Sequence, residues 1–427
     1  MITMNYYVLV TVLLSAIVAF TAVKWVYFKV LKIAKEKNLV DNPDARKLQK
    51  SPVPVVGGLA VFFGVVFGLL MGIVIYYAFN QDVTGSATLF TSTRLLPVVL
   101  GMVIMLYVGT LDDILGLTPK SRFIIEILVV LGLIFASGSC IDSLHGLWGV
   151  YQFSWWIAVP LTVFAGVGII NAINMVDGVN GLSSGLCVTC SLLFGLAFLN
   201  AKDVTNAILA FSMFAALLPF FVHNVFGKSS RMFIGDAGTM VMGVLMTWFV
   251  ICTMHDGGYI YATSGNYCMT ALVLAFLAVP VADTLRVMTM RMMQGKSPFE
   301  PDKTHLHHAF VGLGISHSIT ALTEIFINLL VVGVWYLLVL LGMSVECQLY
   351  VVILVAAVLV WGTYFFLLHE QKSASRKAQW LRRFSVKTHL GSTEWWQRLG
   401  LWLDAPEYDE VELRNLRERL KRKFTNN

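Results

Sequence analysis

Long apolar runs separated by short polar stretches set the character of this chain. A hydrocarbon core of ~30 Å needs roughly 20 apolar residues per helical crossing. Eleven such spans can be drawn, near residues 5–30, 55–79, 94–111, 123–139, 155–173, 182–199, 205–222, 237–254, 267–286, 317–343 and 348–368. None of them alternates with period two, so helices are predicted and barrel strands are not. The pattern changes after residue 368, where the remaining 59 residues hold 13 Lys and Arg against 8 Asp and Glu. Residues 1–368 therefore read as an all-α polytopic membrane domain and 369–427 as a basic cytoplasmic tail. In the tail, Trp380, Trp395, Trp396 and Trp402 among basic residues suggest a membrane-surface segment, and 410–423 a solvent-facing charged helix. The tail carries no catalytic motif and reads as a regulatory or stabilising appendage.

Composition agrees with the pattern: 57% hydrophobic and 13% charged residues, with mean hydropathy +0.74, exclude a soluble globular protein. Of the 31 Lys and Arg, only Arg94 and Lys202 fall in loops on one side, so the positive-inside rule makes the other side cytoplasmic. An odd number of crossings then puts the N-terminus outside and the C-terminus inside. The first apolar run has neither a basic leader nor a small-residue cleavage pattern, so a retained helix is expected. Net charge is +6 and comes mostly from the tail, which gives no indication of nucleic-acid binding. Of six cysteines, Cys187 and Cys190 lie inside an apolar helix and read as packing residues, while Cys140 and Cys347 fall near the outer face, with pairing left open.

Four polar stretches interrupt the apolar runs, and the count of crossings puts all four on the cytoplasmic side. The first is Asp112-Asp113 at the end of the third span, where adjacent carboxylates at a helix C-terminus are unfavourable unless a cation offsets them. Lys120 and Arg122 follow in the same loop, as phosphate ligands or headgroup anchors. The second runs from Asn171 to Asn180. Asn171, Asn174 and Asp177 recur every third residue and would form one slanting polar stripe on a helix. The third, Gly235-Asp236-Ala237-Gly238, opens the eighth span. Asp236 fits either a simple N-cap or a ligand of phosphate or metal at a helix N-terminus. Asn224, twelve residues upstream, is a candidate base or ribose contact or an ordinary loop amide.

The fourth stretch holds Lys303, His305, His307 and His308, with Lys296 and Arg291 nearby. With no cysteine or HExxH pattern beside them, a pyrophosphate clamp is the preferred reading over zinc ligation. A transporter is the competing class, with Asp283 and Glu324 as the deeper acids. Its expected repeat and midplane acids are not evident, because the acids and histidines collect at the inner helix ends.

Taken in order and spacing, Arg46-Lys47, Pro52 to Gly58, the aspartate pair, Asn171 to Leu182, Phe233 to Thr239 and Ser297 to His308 resemble the polyprenyl-phosphate N-acetylhexosamine-1-phosphate transferase superfamily. The resemblance is to the branch that moves GlcNAc-1-phosphate from UDP-GlcNAc to undecaprenyl phosphate in a bacterial inner membrane. The peptidoglycan branch, which uses UDP-MurNAc-pentapeptide, typically has three consecutive histidines and an acid where this chain has His305-Leu306-His307-His308. The resemblance implies Mg2+, with Mn2+ as an alternative, at Asp236 together with Asn174. It further implies essential roles for Asp112 and Asp113 and a homodimer, while Lys120, Asn171, Asn174, Asp177 and the histidine stretch are the candidate substrate contacts read from the residues themselves. Asn180 stands where many relatives have Asp, so it is expected to bind substrate rather than to catalyse.

Overall fold

The computed structural model describes residues 6–41, 52–79, 85–255, 260, 266–299, 302–373, 375–387 and 393–425. Arg46, Lys47, Glu300 and Pro301 of the sequence motifs lie outside them. The chain is almost wholly helical. Its first eight helices are α1 (Tyr6–Glu36), α2 (Gly57–Phe79), α3 (Gly85–Leu115), α4 (Pro119–Ser137), α5 (Trp155–Met175), α6 (Leu182–Asn200), α7 (Val204–Phe226) and α8 (Gly235–Met254). There follow α9 (Met269–Phe276), α10 (Ala278–Met293), the short α11 (Leu306–Gly312) and α12 (His317–Leu340). A last apolar stretch comprises α13 (Val345–Ala357), a π turn and α14 (Thr363–Lys372). The tail forms α15 (Arg376–Lys387), α16 (Glu394–Asp404) and α17 (Glu410–Thr425). The sole β pairing among the described residues is a two-residue antiparallel ladder, β1 (Val40–Asp41) with β2 (Val53–Pro54).

Helix α8 is the axis of the bundle. Every residue in it except Asp236 is buried, and it packs against α2, α3, α5, α6 and α9. A helix apolar all round belongs in such a core, and outward-facing Tyr107, Phe135, Phe164 and Leu340 leave a lipid-compatible surface on the helices around it. Helix α4 starts with Thr118 accepting a hydrogen bond from Ser121 N and Pro119 in its first turn, and stops at Gly138 in the left-handed region.

Nine of the described helices are long and apolar enough to cross a bilayer, or ten if the bent pair α9–α10 is one span, against the eleven expected. The remaining candidate, α4, has Lys120, Arg122 and Glu126 in its first eight residues, which shortens its apolar part. The expected straight span over 267–286 is instead bent by 83° between α9 and α10. Pro280 explains the break, since it has no N–H and its ring crowds the carbonyl four residues back. That carbonyl, Phe276 O, accepts hydrogen bonds from Cys190 Sγ at 2.9 Å and Asn328 Nδ2 at 3.0 Å, and Asn328 Oδ1 accepts from Val279 N at 3.0 Å. All six cysteines are free thiols, Cys140 and Cys347 included.

Asn328 thus satisfies both backbone groups released by the break. Asn328→Leu keeps the volume but strands Val279 N and removes one of the two donors to Phe276 O, which costs about 1–3 kcal/mol. Thermal unfolding in detergent should shift down by several degrees, and an unchanged midpoint would show that the amide does not sustain the bend.

Candidate active site

The site is built where α3 meets the N-terminus of α8. Asp236 is not the cap of its own helix. It occupies the second position of α8, and Ile234 at the cap position makes no side-chain bond. The cap comes from α3 instead: Asp113 Oδ1 accepts from Asp236 N at 2.9 Å and Asp113 Oδ2 from Ala237 N at 3.2 Å. Gly235 has φ +71°, and a Cβ there would strike the same Asp113 carboxylate, so only glycine permits this seating. One turn earlier, Gly109 lies directly on the Asp236–Ala237 backbone, which lets α3 approach that closely.

The cation required by the paired acids is Arg122, from α4. Its Nη1 donates to Asp112 Oδ2 at 2.9 Å and stands 3.8 Å from Asp236 Oδ2, while Nη2 donates to Asn174 Oδ1 at 3.0 Å. Its Nε is 3.5 Å from Glu126 Oε1. Asp112 Oδ1 also accepts from Leu117 N at 2.7 Å, closing the loop into α4. Asn174 Nδ2 donates to Asp236 Oδ1 at 2.5 Å and Thr239 Oγ1 at 2.8 Å. Asn171 donates to buried Glu126 rather than to the cavity. The expected three-residue stripe is therefore a two-residue one: α5 ends at Met175, and Asp177 lies beyond it in the turn, accepting from the Ser183 hydroxyl. Asp177 is solvent-exposed on the wall of the cavity.

A cavity of about 1110 Å³ opens over these groups. Asp112, Asp113, Asn174, Asp177, Asn180, Asn224, Asp236 and His308 all line it. Asn224 ties two motifs together, accepting from Gly181 N and donating to Met232 O, both at 2.7 Å. Lys120 is exposed on the first turn of α4, and Lys303 is likewise exposed, both apart from the cavity wall. Of the histidines in the fourth stretch only His308 reaches the cavity. His307 is buried against the Gly178 backbone. His305 Nδ1 pairs with Asp283 Oδ2 at 2.8 Å.

Asp283 and Arg286 anchor this stretch. Asp283 also receives Leu306 N at 3.2 Å and Arg286 Nη2 at 2.7 Å. Arg286 donates to Thr304 O at 2.6 Å, and its guanidinium lies 3.5 Å from the centre of the Tyr364 ring. Burial holds His307 well below the ordinary histidine range, and burial, with His305 and Lys303 nearby, lowers His308 to about 4. At neutral pH both are uncharged, and His308, the one that reaches the cavity, would contact phosphate by N–H donation without a formal charge. Arg291 is committed to Asp302, with two bonds at 2.9 and 3.0 Å.

A profile of glycosyl transferase family 4 matches residues 95–254. The undecaprenyl-phosphate alpha-N-acetylglucosaminyl 1-phosphate transferase of Yersinia pestis is 30% identical over 297 residues, covering 68% of this chain and 74% of its own. The protein of the same name from Escherichia coli (strain K12) is 31% identical over 291 residues, 67% and 72% of the two chains. The probable undecaprenyl-phosphate N-acetylglucosaminyl 1-phosphate transferase of Bacillus subtilis (strain 168) is 29% identical over 294 residues, 69% and 75%. The chain belongs to glycosyl transferase family 4. In this transferase the profile's segment contains Asp112, Asp113, Arg122, Asn174, Asp177 and Asp236, whereas the histidine stretch and the tail lie beyond it.

Glu126, Asp283 and Arg286 were not among the sequence candidates for this site. Each carried a signal: Glu126 is four residues from Arg122 on one helix face, and Asp283 and Arg286 are three apart on an apolar helix, spacings that bring opposite charges together.

Arg122→Met should destabilise the protein by about 3 kcal/mol, because it leaves Glu126 and Asp112 without their counter-ion. Adding Glu126→Leu should recover part of that loss. A double variant no more stable than the single one in denaturation would show that the pair is not coupled.

Acidification gives a second check. His308 is about 4 in the folded protein against an ordinary 6.5, so the unfolded chain takes up the proton first. The associated stability is fully present above 6.5 and is lost as pH falls from there towards 4. Asp302, held below the usual carboxylate range by Arg291, does not titrate in that window. The melting temperature should drop less between pH 7 and 5 in His308→Gln than in the parent, and parallel curves would contradict the assignment.

Proposed function

We propose that the protein transfers GlcNAc-1-phosphate from UDP-GlcNAc to undecaprenyl phosphate, giving undecaprenyl-pyrophosphoryl-GlcNAc and UMP. In this reading the cavity faces the cytoplasm of a bacterial inner membrane, and the product starts a surface polysaccharide such as O-antigen, common antigen or teichoic acid. The observation that carries it is the convergence of Asp112, Asp113, Asp236 and Asn174 around Arg122 at one large cavity. The names of the relatives supply the donor sugar and the lipid acceptor.

An oxygen of the lipid phosphate attacks the β-phosphorus of the donor. The new P–O bond forms as the bond to the bridging oxygen breaks, and UMP leaves with that electron pair. A phosphate monoester with second pKa near ~6 is already mostly dianionic at neutral pH, so no protein base has to take a proton. Asp113 has both oxygens engaged by backbone N–H groups, and Asp112 is bound by Leu117 N and Arg122. Carboxylates so engaged position the site, which favours direct displacement over an aspartyl intermediate. Asp236 and Asn174 are the residues that would hold Mg2+, or Mn2+. The fit is chemical: the donors are oxygens, and Asp112 and Asp113 both stand close enough to Asp236 for mutual repulsion that a cation relieves. When bound, the ion supplies charge neutralisation on the pyrophosphate.

Purified protein with undecaprenyl phosphate and Mg2+ should release UMP from UDP-GlcNAc, and not from UDP-GalNAc or UDP-MurNAc-pentapeptide. Asp236→Asn should lower that rate about 100-fold or more. Release from a different donor would reassign the sugar, and release from none would overturn the reading. Intact mass after incubation with UDP-GlcNAc and no lipid should be unchanged; a sugar-phosphate adduct on Asp112 or Asp113 would exclude direct displacement.

A further inference from the structure

The tail does not stand apart from the site. Trp396 of α16 stacks on Phe226 at the end of α7, with ring centroids 4.6 Å apart and planes 16° from parallel. Further along the same helix the chain delivers Asp404, which is buried at 3% exposure. Its carboxylate accepts from the backbone N–H groups of Lys228, Ser229 and Ser230 at 3.0–3.1 Å, and from the Ser230 hydroxyl at 2.7 Å. Four donors converging on one buried carboxylate fix the α7–α8 loop rigidly. Other contacts hold the same loop from the core side. Tyr27 donates to Ser230 O at 2.7 Å, and Phe233 N donates to Pro54 O at 2.8 Å.

Between these clamps sits Arg231. It lines the same cavity as Asp112 and Asp236, together with Trp396, Leu401 and Asp404 from the tail. Its Nε is buried and has no hydrogen-bond acceptor among the described residues. A guanidinium held on a pinned loop, facing a cavity and lacking an acceptor for a buried N–H, is arranged to receive an anion.

We propose that Arg231 is a phosphate-binding residue of the cavity and that Asp404, from the C-terminal tail, is the positioning residue that presents it. The class of ligand rests on the phosphoglycosyl-transfer reading above. The phosphate comes either from the nucleotide diphosphate or from the lipid acceptor.

The test uses the full chain in detergent, titrated calorimetrically with UDP, uridine and undecaprenyl phosphate. Arg231→Gln should weaken UDP binding roughly tenfold or more, as expected for loss of a charge-assisted bond, with uridine affinity unchanged. Arg231→Lys should restore part of it. Asp404→Ala should give the same phosphate-selective loss, and combining it with Arg231→Gln should add little, as expected of residues acting through one contact. A loss confined to undecaprenyl phosphate would also uphold the site and assign it to the acceptor. Equal losses for UDP and uridine, or none in Arg231→Gln, would overturn it. Should the parent bind neither UDP nor the lipid, the transferase reading fails, and inorganic pyrophosphate becomes the probe: weaker binding in Arg231→Gln sustains the anion site, and no difference ends it.

Discussion

The bond on which the site depends is the one from the Asp113 carboxylate to the first turn of α8. Two backbone N–H groups that no helix can satisfy internally are met by a side chain from a different span. This joins the aspartate pair of α3 to the motif that opens α8 and leaves the Asp236 side chain to turn towards Asn174. It also demands glycine at two places, Gly235 for its conformation and Gly109 for the closeness of the helices. Because α8 is otherwise wrapped on all sides, its first turn cannot shift to suit a ligand without moving the neighbouring spans, and rigidity here is inherited from the whole core.

Few cations serve many acids in this pocket. Arg122 alone contacts Asp112, Glu126 and Asp236, and Asn174 completes the ring with donors and an acceptor at once. One cation against several carboxylates leaves this part of the pocket negative, which is unsuited to a polyanionic substrate by itself. Positive charge must therefore be brought in from elsewhere, and the cavity wall carrying Lys228 and Arg231 is where the protein places it.

Much of this was legible beforehand, for a physical reason: polar groups in apolar runs are costly, so each interruption had to mark either a pair or a site. Asp112, Asp113, Asn174, Asp177, Asn180, Asn224, Asp236 and His308 do share one cavity. The choice between Lys120 and Arg122 was not legible, since two positions on a helix differ by about 200° and only the packing of α4 decides which faces inward. Nor was the bend at Leu277, because the apolar run continues through it and Pro280 interrupts only the hydrogen bonds. The docking of Asp404 was hidden for a third reason. A basic segment rich in tryptophan has the same composition whether it lies on lipid or on protein.

That docking bears on how the molecule is made. In order of synthesis, the acids of α3 come early and Asp236 of α8 midway, but the wall containing Trp396 and Asp404 comes after every span. The chamber is therefore closed by the part of the chain made last, so its wall is complete only once the tail docks on the assembled bundle.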